Sequence, residues 1–168
     1  GRTGRWFAKD LYNTQPDIMT LAKGLGGGAP IGAVLSNERV SRAIDFGDHG
    51  TTFGGNPLAA SAALATLDVI EEEGLLDKAE RDGKWLMDEV KSWNEPSVVE
   101  VRGAGLMIGI QFDFETKPLV MEMLEQGIIA NATAGNVLRL VPPLNIPRAD
   151  LSQVLQVLKQ PLKSIKQH

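Results

Sequence analysis

The amino-acid sequence predicts a mixed α/β fold on three observations. Short apolar runs separated by glycines fill residues 1–55, two long runs with helical periodicity follow, and short strand-like and helical runs alternate from Val98 onward. At 168 residues the chain is long enough for one domain or for two small ones. We therefore expect an α/β part first and a small α+β part after it.

In the first part, residues 30–35 predict a short buried strand, and residues 37–44 predict one or two helical turns. A polar, glycine-rich loop is expected over residues 45–55. Asn56-Pro57 then predicts the start of a helix, because asparagine caps free amides and proline has no N–H to leave unpaired.

Two helices are expected next, the first over residues 58–73 and ended by Gly74. The second carries an apolar stripe at alternating steps of three and four residues, which favours core packing. Its members are Leu76, Ala79, Gly83, Leu86, Val90 and Trp93.

From Val98 the pattern changes to a small α+β arrangement. The expected elements are strands at 98–101 and 106–112 joined by residues 102–105, a helix over 117–126 closed by Gly127, and strands at 128–130 and 137–141. A final amphipathic helix, kinked or restarted at Pro161, is predicted by a last apolar stripe. That stripe consists of Leu151, Val154, Leu155, Leu158, Leu162 and Ile165.

The composition excludes several classes of site. Without cysteine the chain has no disulfide, no thiolate nucleophile, no Cys-zinc site and no iron–sulfur cluster. Its two histidines, His49 and His168, are too few for a His-rich metal site, and a serine-type triad would have to use His49. The net charge of −4 argues against nucleic-acid binding, and no apolar run suits a signal peptide or membrane span. We expect a soluble, cytoplasmic protein without a metal.

The glycine cluster after Lys23 admits more than one interpretation. Gly24-x-Gly26-x-x-Ala29 formally matches a dinucleotide fingerprint, but a strand-like run follows where that motif requires a helix. Lys23 itself is either a solvated surface lysine or a lysine held between a strand end and a tight glycine turn. In the second case burial would lower its pKa, and it could form a Schiff base with a carbonyl cofactor.

Four segments together resemble the class III aminotransferases, which depend on pyridoxal phosphate. They run from Gly1 to Gly4, from Asp17 to Ala33 around Lys23, from His49 to Ala59, and from Asn136 to Leu144. The segments come in the family's order and cover the chain nearly end to end. The Gly-Gly-Gly-x-Pro-Ile-Gly-Ala form is most similar to acetylornithine-type members.

The resemblance implies a fold and a domain plan. The chain would be the C-terminal part of a type I pyridoxal-phosphate-dependent transferase. Residues 1–74 would end the large α/β domain, residues 75–96 would be a connecting helix, and residues 97–168 would form the small α+β domain. Family chains are more than twice as long, and the remainder is expected before Gly1. It would carry the aspartate at the pyridine nitrogen, the phosphate loop, the ring-stacking aromatic residue and a gating glutamate.

The resemblance also implies site roles. Lys23 would hold pyridoxal phosphate as a Schiff base and move the substrate proton, and Thr52 would bind the phosphate of the neighbouring subunit's cofactor, so a homodimer is expected. Thr51 would contact substrate. Arg139, set between apolar residues at a strand end, would hold the substrate α-carboxylate through two parallel hydrogen bonds. The stretch from Gly103 to Gly109 is interpreted as structural, and His49 needs no catalytic role.

The expected reaction transfers the terminal amino group of N-acetylornithine to 2-oxoglutarate, a step of arginine biosynthesis. One alternative is another ω-aminotransferase, acting on ornithine, 4-aminobutyrate or succinylornithine. The other is a truncated, non-catalytic module. By itself the chain of 168 residues is expected to be inactive.

Overall fold

The computed structural model describes residues 1–165 and divides the chain into two compact units. The first unit is Lys9–Gly74. The second consists of Gly1–Ala8 together with the chain from Leu75 onward. His168 and the Ile165 side chain lie outside the described part, so their predicted positions are not tested.

These units differ from the three expected segments. The first eight residues and the helix that follows Gly74 group with the C-terminal part, because their contacts are made there. The domain boundaries expected for an aminotransferase chain stay a prediction.

The unit Lys9–Gly74 is built around two short antiparallel strands and one long helix. Its elements are α1 (Ala8–Leu11, which crosses into the unit), β1 (Ile18–Leu21), β2 (Ala33–Ser36), α2 (Glu38–Ser41) and α3 (Pro57–Glu72). Strands β1 and β2 pair with Leu21 opposite Ala33. Helix α2 and the polar loop before α3 are confirmed, whereas α1 and β1, of four residues each, were not predicted.

The predicted strand over residues 30–35 is wrong in two respects. It begins at Ala33 and not at Pro30, whose nitrogen has no hydrogen to donate to a ladder. It is also not buried, since Val34 is 70% exposed. A sheet of only two strands has few neighbours to cover its faces.

The start of α3 is confirmed. The Asn56 side chain accepts a hydrogen bond from the Ala59 N–H at 2.9 Å, and Pro57 occupies the first helical position. Gly74 follows the helix with φ of +59°, a conformation that suits glycine.

The second unit packs three helices on a four-stranded antiparallel sheet. Its elements are α4 (Leu75–Ser92), β3 (Val98–Ala104), β4 (Met107–Phe112), α5 (Lys117–Glu125), β5 (Asn131–Thr133), β6 (Val137–Leu140) and α6 (Arg148–Ile165). The strand order is β3-β4-β6-β5. The predicted helices are confirmed here within a residue or two.

The core of this unit lies on one face of the sheet. Side chains alternate along a strand, so Ile108 and Ile110 of β4 face the same side as Leu138 and Leu140 of β6. Helices α4, α5 and α6 cover that side with buried Leu, Val and Met side chains. The opposite face carries the polar residues of the sheet.

Three predictions for this unit need correction. Strand β3 continues to Ala104, and a two-residue turn that begins at Gly105, with φ of +52°, replaces the expected longer connection. No strand forms over residues 128–130, and β5 begins only at Asn131. Helix α6 continues through Pro161 without restarting.

The missing strand has a physical reason. The Ile128 N–H donates to the Met123 carbonyl and the Gly127 N–H to the Leu124 carbonyl, both at 2.9 Å. These two bonds close the end of α5 in a Schellman cap, with Gly127 at φ of +81°. The backbone of Ile128 therefore belongs to the helix end and cannot start a strand.

Between residues 1 and 165, none of the helices combines the length and the apolar character needed to cross a bilayer.

Candidate active site

Lys23 begins a single 3₁₀ turn, Lys23–Gly26, two residues after β1 ends. Its backbone has φ of +54°, in the left-handed region that residues with a side chain rarely adopt. The side chain is exposed, and its ammonium group has no hydrogen-bond or ion-pair partner among residues 1–165. The fold thus fixes the backbone of this lysine and leaves its amine free.

The glycines after Lys23 have two different roles. Gly26 and Gly27 are packed: a Cβ on Gly26 would lie 2.8 Å from Ile31 Cγ2, and one on Gly27 would lie 2.8 Å from Thr66 Oγ1 of α3. Gly24 and Gly28 have open space at the same position, with nothing within 4 Å. Gly27 therefore seats the turn on α3, Gly26 fits it against Ile31, and Gly24 and Gly28 leave its surface open to a close approach.

Thr51 and Thr52 lie in the loop that leads into α3. Both are exposed, and neither hydroxyl has a hydrogen-bond partner in the part of the chain that the structure describes. The loop is fixed at its end by Asn56, which also donates from Nδ2 to the Phe53 carbonyl at 2.9 Å. A Cβ on Gly54 would lie 2.0 Å from Thr51 Cγ2, so a larger residue at this position would force the Thr51 side chain to move.

A concave surface of about 760 Å³ lies in the same unit. Thr51, His49 and Asn56 line it together with apolar residues of β1, β2 and α2. Neither Lys23 nor Thr52 is among its lining residues. This cavity therefore does not by itself define the site around the lysine.

Arg139 lies on β6 of the second unit, on the sheet face opposite the core. It pairs with Gly109 of β4 on one side and with Asn131 of β5 on the other. The side chain is exposed, and within residues 1–165 its guanidinium has no hydrogen-bond or ion-pair partner. A free, planar guanidinium is suited to bind a carboxylate through two parallel hydrogen bonds.

The charges on this sheet leave Arg139 unmatched. Within strands β3–β6 of the described chain, Glu100 is the only acidic residue, and it forms an ion pair with Arg102. Arg102 also donates to the Gln111 side chain at 2.8 Å. The Glu100 carboxylate therefore neutralises Arg102, and the positive charge of Arg139 has no acidic partner on these strands.

The four residues predicted for the site fall in different units. Lys23, Thr51 and Thr52 belong to Lys9–Gly74, where the lysine turn packs on α3 and the threonines precede that helix. Arg139 belongs to the other unit. The structure thus groups Lys23, Thr51 and Thr52 around one helix, while their common site with Arg139 stays a prediction.

Arg2 is a residue that pattern reasoning did not single out. Its guanidinium donates to the carbonyl oxygens of Leu106 and Pro142, and its own carbonyl accepts from the Leu106 N–H at 3.0 Å. Burial lowers the pKa of this guanidinium. Arg2 thereby connects the start of the chain to the segment just after the strand that carries Arg139. A single arginine between glycine and threonine gives no periodic signal for such a role.

A buried ion cluster on α4 was also missed. Asp82, 4% exposed, accepts hydrogen bonds from Lys78 at 2.6 Å and from Arg148 at 2.7 Å. Lys78 donates further to the Ile146 carbonyl at 2.6 Å. The cluster fixes the segment between β6 and α6 against α4. The i, i+4 spacing of Lys78 and Asp82 is the one available sequence signal.

Comparison with known proteins gives consistent matches along the whole chain. The family described as aminotransferase class-III matches residues 1–162. Acetylornithine aminotransferase of Methanocaldococcus jannaschii is 47% identical over 168 residues, which are 99% of this chain and 42% of that protein. Ornithine aminotransferase 1 of Staphylococcus aureus is 41% identical over 165 residues, or 98% of this chain and 42% of that one.

A solved structure matches the fold closely. The ornithine aminotransferase from Toxoplasma gondii, reported with partial occupancy of pyridoxal phosphate at its active site, gives a TM-score of 0.90 at 35% identity. The match covers 99% of this chain and 41% of that one.

The chain therefore has the α/β fold of the pyridoxal-phosphate-dependent aminotransferases. Within that class it belongs to the class III aminotransferase family, as its sequence predicts. It spans about 42% of the length of the relatives that it matches.

Proposed function

We propose that this chain contributes the lysine- and arginine-bearing part of an enzyme that transfers the terminal amino group of N-acetylornithine to 2-oxoglutarate. The observation that carries the proposal is Lys23, which has a fixed backbone at φ of +54° and an unpartnered amine at the edge of a glycine turn. Arginine biosynthesis is the setting that this reaction implies. The 168 residues alone are expected to give no turnover.

The chemistry of the donors fits pyridoxal phosphate. A primary amine without an internal partner can condense with the aldehyde of the cofactor, and the open positions at Gly24 and Gly28 allow a flat ring to approach the backbone. The free hydroxyl of Thr52, close in sequence to the first turn of α3, suits a phosphate group. When bound, the cofactor supplies the conjugated ring that accepts the electron pair of the substrate carbon.

Lys23 has two tasks in this proposal. Its amine would hold the aldehyde carbon of the cofactor and would give up this position to the amino group of the substrate. Nζ would then serve as the base that takes the proton from the amino-bearing carbon of the substrate and as the acid that returns it to the carbon of the cofactor that was the aldehyde carbon. One amine can perform both tasks because it is flexible and has no internal partner.

Substrate and partner contacts complete the proposal. Arg139 binds the α-carboxylate of the substrate, and Thr51 contacts the substrate near the cofactor. Thr52 donates to the phosphate held by a second copy of the protein, which makes the enzyme a homodimer. The unmatched positive charge of Arg139 on the sheet supports its part in this arrangement.

The choice of amino donor rests on the relatives. The M. jannaschii protein named acetylornithine aminotransferase is 47% identical, and the S. aureus protein named ornithine aminotransferase 1 is 41% identical. Ornithine is therefore the second candidate, ahead of 4-aminobutyrate and succinylornithine. A full-length enzyme containing this chain should be given each of these donors with 2-oxoglutarate. Absence of activity with N-acetylornithine would remove the leading choice.

The role of Lys23 can be tested on the chain itself. We expect weak binding of pyridoxal phosphate, so the imine formed should be trapped with borohydride and located by peptide mass mapping. The label should be concentrated at Lys23 and lost in Lys23→Ala. Lys91→Ala removes another exposed lysine that has no hydrogen-bond or ion-pair partner among the described residues, and it should leave the labelling of Lys23 unchanged. Equal labelling of both lysines would contradict the role of Lys23, and robust turnover by the chain alone would contradict its expected inactivity.

A non-catalytic, truncated module is the alternative from another class. An absence of Lys23-dependent trapping would support it. The cytoplasmic location stays a prediction.

A further inference from the structure

The three glycines between Gly103 and Gly109 are not equivalent. A Cβ on Gly103 would lie 2.4 Å from the Met107 carbonyl oxygen. Gly105 has φ of +52°, and a Cβ there would lie 2.5 Å from the Arg2 carbonyl oxygen. Both positions accept only glycine, for reasons of packing and backbone conformation.

Gly109 is different, since nothing in the described chain requires glycine there. A Cβ would meet Val137 Cγ1 at 3.4 Å and Arg102 Cγ at 3.9 Å, which are ordinary contacts, and the residue has no positive φ. A residue in the middle of a strand is normally stabilised by a side chain, and glycine weakens it. The absence of a side chain at this position therefore calls for an explanation other than packing.

The position of Gly109 supplies that explanation. In the strand order β3-β4-β6, Gly109 lies directly between Arg102 on one side and Arg139 on the other. Side chains opposite each other on adjacent strands have Cβ atoms about 4.5–5.5 Å apart. Any side chain at residue 109 would thus stand beside the stem of Arg139, on the face where its guanidinium is exposed.

The neighbouring charges direct the two arginines differently. Arg102 is held by Glu100 and Gln111, which form the next pair along the same strands. Its guanidinium is therefore engaged along β3 and β4 and not toward Arg139. On the other side of Gly109, Arg139 is exposed and has no counter-ion in the part of the chain that the structure describes.

We propose that Gly109 is a specificity-determining position that keeps the space beside Arg139 free for a carboxylate ligand. Two parallel hydrogen bonds require the carboxylate to lie in the plane of the guanidinium, so the approach must be clear on at least one edge. The gap at Gly109 provides that edge. The inference rests on the proposed role of Arg139 and extends it to a second residue, which acts by having no side chain.

The test compares Gly109→Val with Met107→Val in the full chain. Met107→Val places the same side chain on the same strand and face, two residues from Gly109 and opposite Ala104, away from both arginines. Arginines are labelled with phenylglyoxal, and the rate at Arg139 is read by peptide mass spectrometry with and without 2-oxoglutarate. Circular dichroism and tryptophan fluorescence report whether each variant keeps its fold.

In the unmodified sequence, 2-oxoglutarate should slow the labelling of Arg139 and not that of Arg102. Gly109→Val should raise the concentration of 2-oxoglutarate needed for protection roughly tenfold, as expected when a charge-assisted hydrogen bond is lost. Met107→Val should leave this concentration unchanged. Gly109→Ala, whose Cβ has room, should fold and give an intermediate value. If Gly109→Val does not fold, the protection measured for Gly109→Ala tests the inference in its place.

Two results would overturn the inference. If Gly109→Val and Gly109→Ala are protected like the unmodified sequence, the space at residue 109 is irrelevant, while the role of Arg139 is unaffected. If Arg139 is not protected even in the unmodified sequence, both this inference and the carboxylate-binding role of Arg139 are wrong.

Discussion

The carbonyl oxygen of Gly105 lies 1.8 Å from the point that a Cβ on Gly83 would occupy. Gly83 is buried in α4, and Gly105 begins the turn between β3 and β4. The helix and the turn are therefore in direct backbone contact, and the distance between them depends on a residue without a side chain.

Gly83→Ala should push α4 away from this turn, because backbone atoms on both sides cannot move aside as a side chain can. We expect the free energy of unfolding to fall by about 3 kcal/mol. Urea unfolding followed by tryptophan fluorescence measures it, since Trp6, Trp85 and Trp93 all lie in this unit. Gly109→Ala is the control and should change stability by less than about 1 kcal/mol. If Gly83→Ala lowers the free energy of unfolding by no more than Gly109→Ala does, the close backbone contact between Gly83 and Gly105 is contradicted.

Asp82→Ala should remove the acceptor shared by Lys78 and Arg148 and leave two cations at a partly buried site. Removal of one partner from a buried pair costs about 3–5 kcal/mol, and the partial exposure of both cations reduces the expected loss to about 2–3 kcal/mol. The measurement is the urea midpoint. Asp88→Ala breaks the exposed pair with Lys84 and should shift the urea midpoint much less than Asp82→Ala. Equal effects of the two substitutions would show that burial of Asp82 is unimportant.

Gly27→Ala should disturb the turn that carries Lys23. The added methyl group would lie 2.8 Å from Thr66 Oγ1, and φ of +60° is strained for alanine, so we expect a loss of about 1–2 kcal/mol. Gly24→Ala, in open space and without a positive φ, is the matched control. This unit holds no tryptophan, so hydrogen exchange of its amides is the appropriate measurement.

The contact with Thr66 can be separated from the backbone strain. When it is combined with Thr66→Ala, the Gly27→Ala substitution should destabilise the turn less. The steric contact is then absent, and only the backbone strain of the positive φ remains. Fully additive effects of the two substitutions would mean that the turn does not touch α3 at this point.

The Arg5–Glu80 pair predicts a pH dependence. Two hydrogen bonds from the guanidinium, at 2.7 and 3.2 Å, together with its charge, hold the pKa of Glu80 below its ordinary value of 4.5. A carboxyl with a lowered pKa in the folded state contributes stability above about pH 5, and this contribution is lost as the pH falls through the lowered pKa. The effect is small, since both side chains are exposed.

Substitution of Arg5 by glutamine should raise the pKa of Glu80 toward its ordinary value, as followed by the carboxyl carbon resonance in an NMR titration. The stability difference from the unmodified sequence should be present at pH 7 and vanish on acidification. Lys91→Gln removes a positive charge that has no ion-pair partner among the described residues and should leave Glu80 unchanged. An unaltered pKa of Glu80 in the Arg5 variant would show that Arg5 does not cause the lowering of this pKa.

Local patterns predicted the helices well, because capping and periodicity are properties of neighbouring residues. The Asn56-Pro57 start and the stripe along α4 are examples. The same reasoning misplaced the strand after α5. Residues 128–130 are as apolar as a strand, but Gly127 commits Ile128 to the helix cap.

The candidate site was predicted residue by residue from motifs, not from geometry. Nothing local signals the left-handed backbone of Lys23, which begins a turn whose Gly27 packs against Thr66 of α3. The position of Arg139 beside Gly109 depends on the strand order, which joins distant parts of the chain. Asp82 was missed because a charged residue in an apolar stripe acquires its partners only in the folded unit.

The contact of Arg2 with Leu106 spans 104 residues and has a consequence for synthesis on the ribosome. Residues 1–8 leave the ribosome before their partners Gly105 and Pro142, and Lys9–Gly74 lies between them in the sequence. The unit that holds Arg139 therefore forms by contact between segments far apart in the chain, and such long-range closure is a slow step in folding.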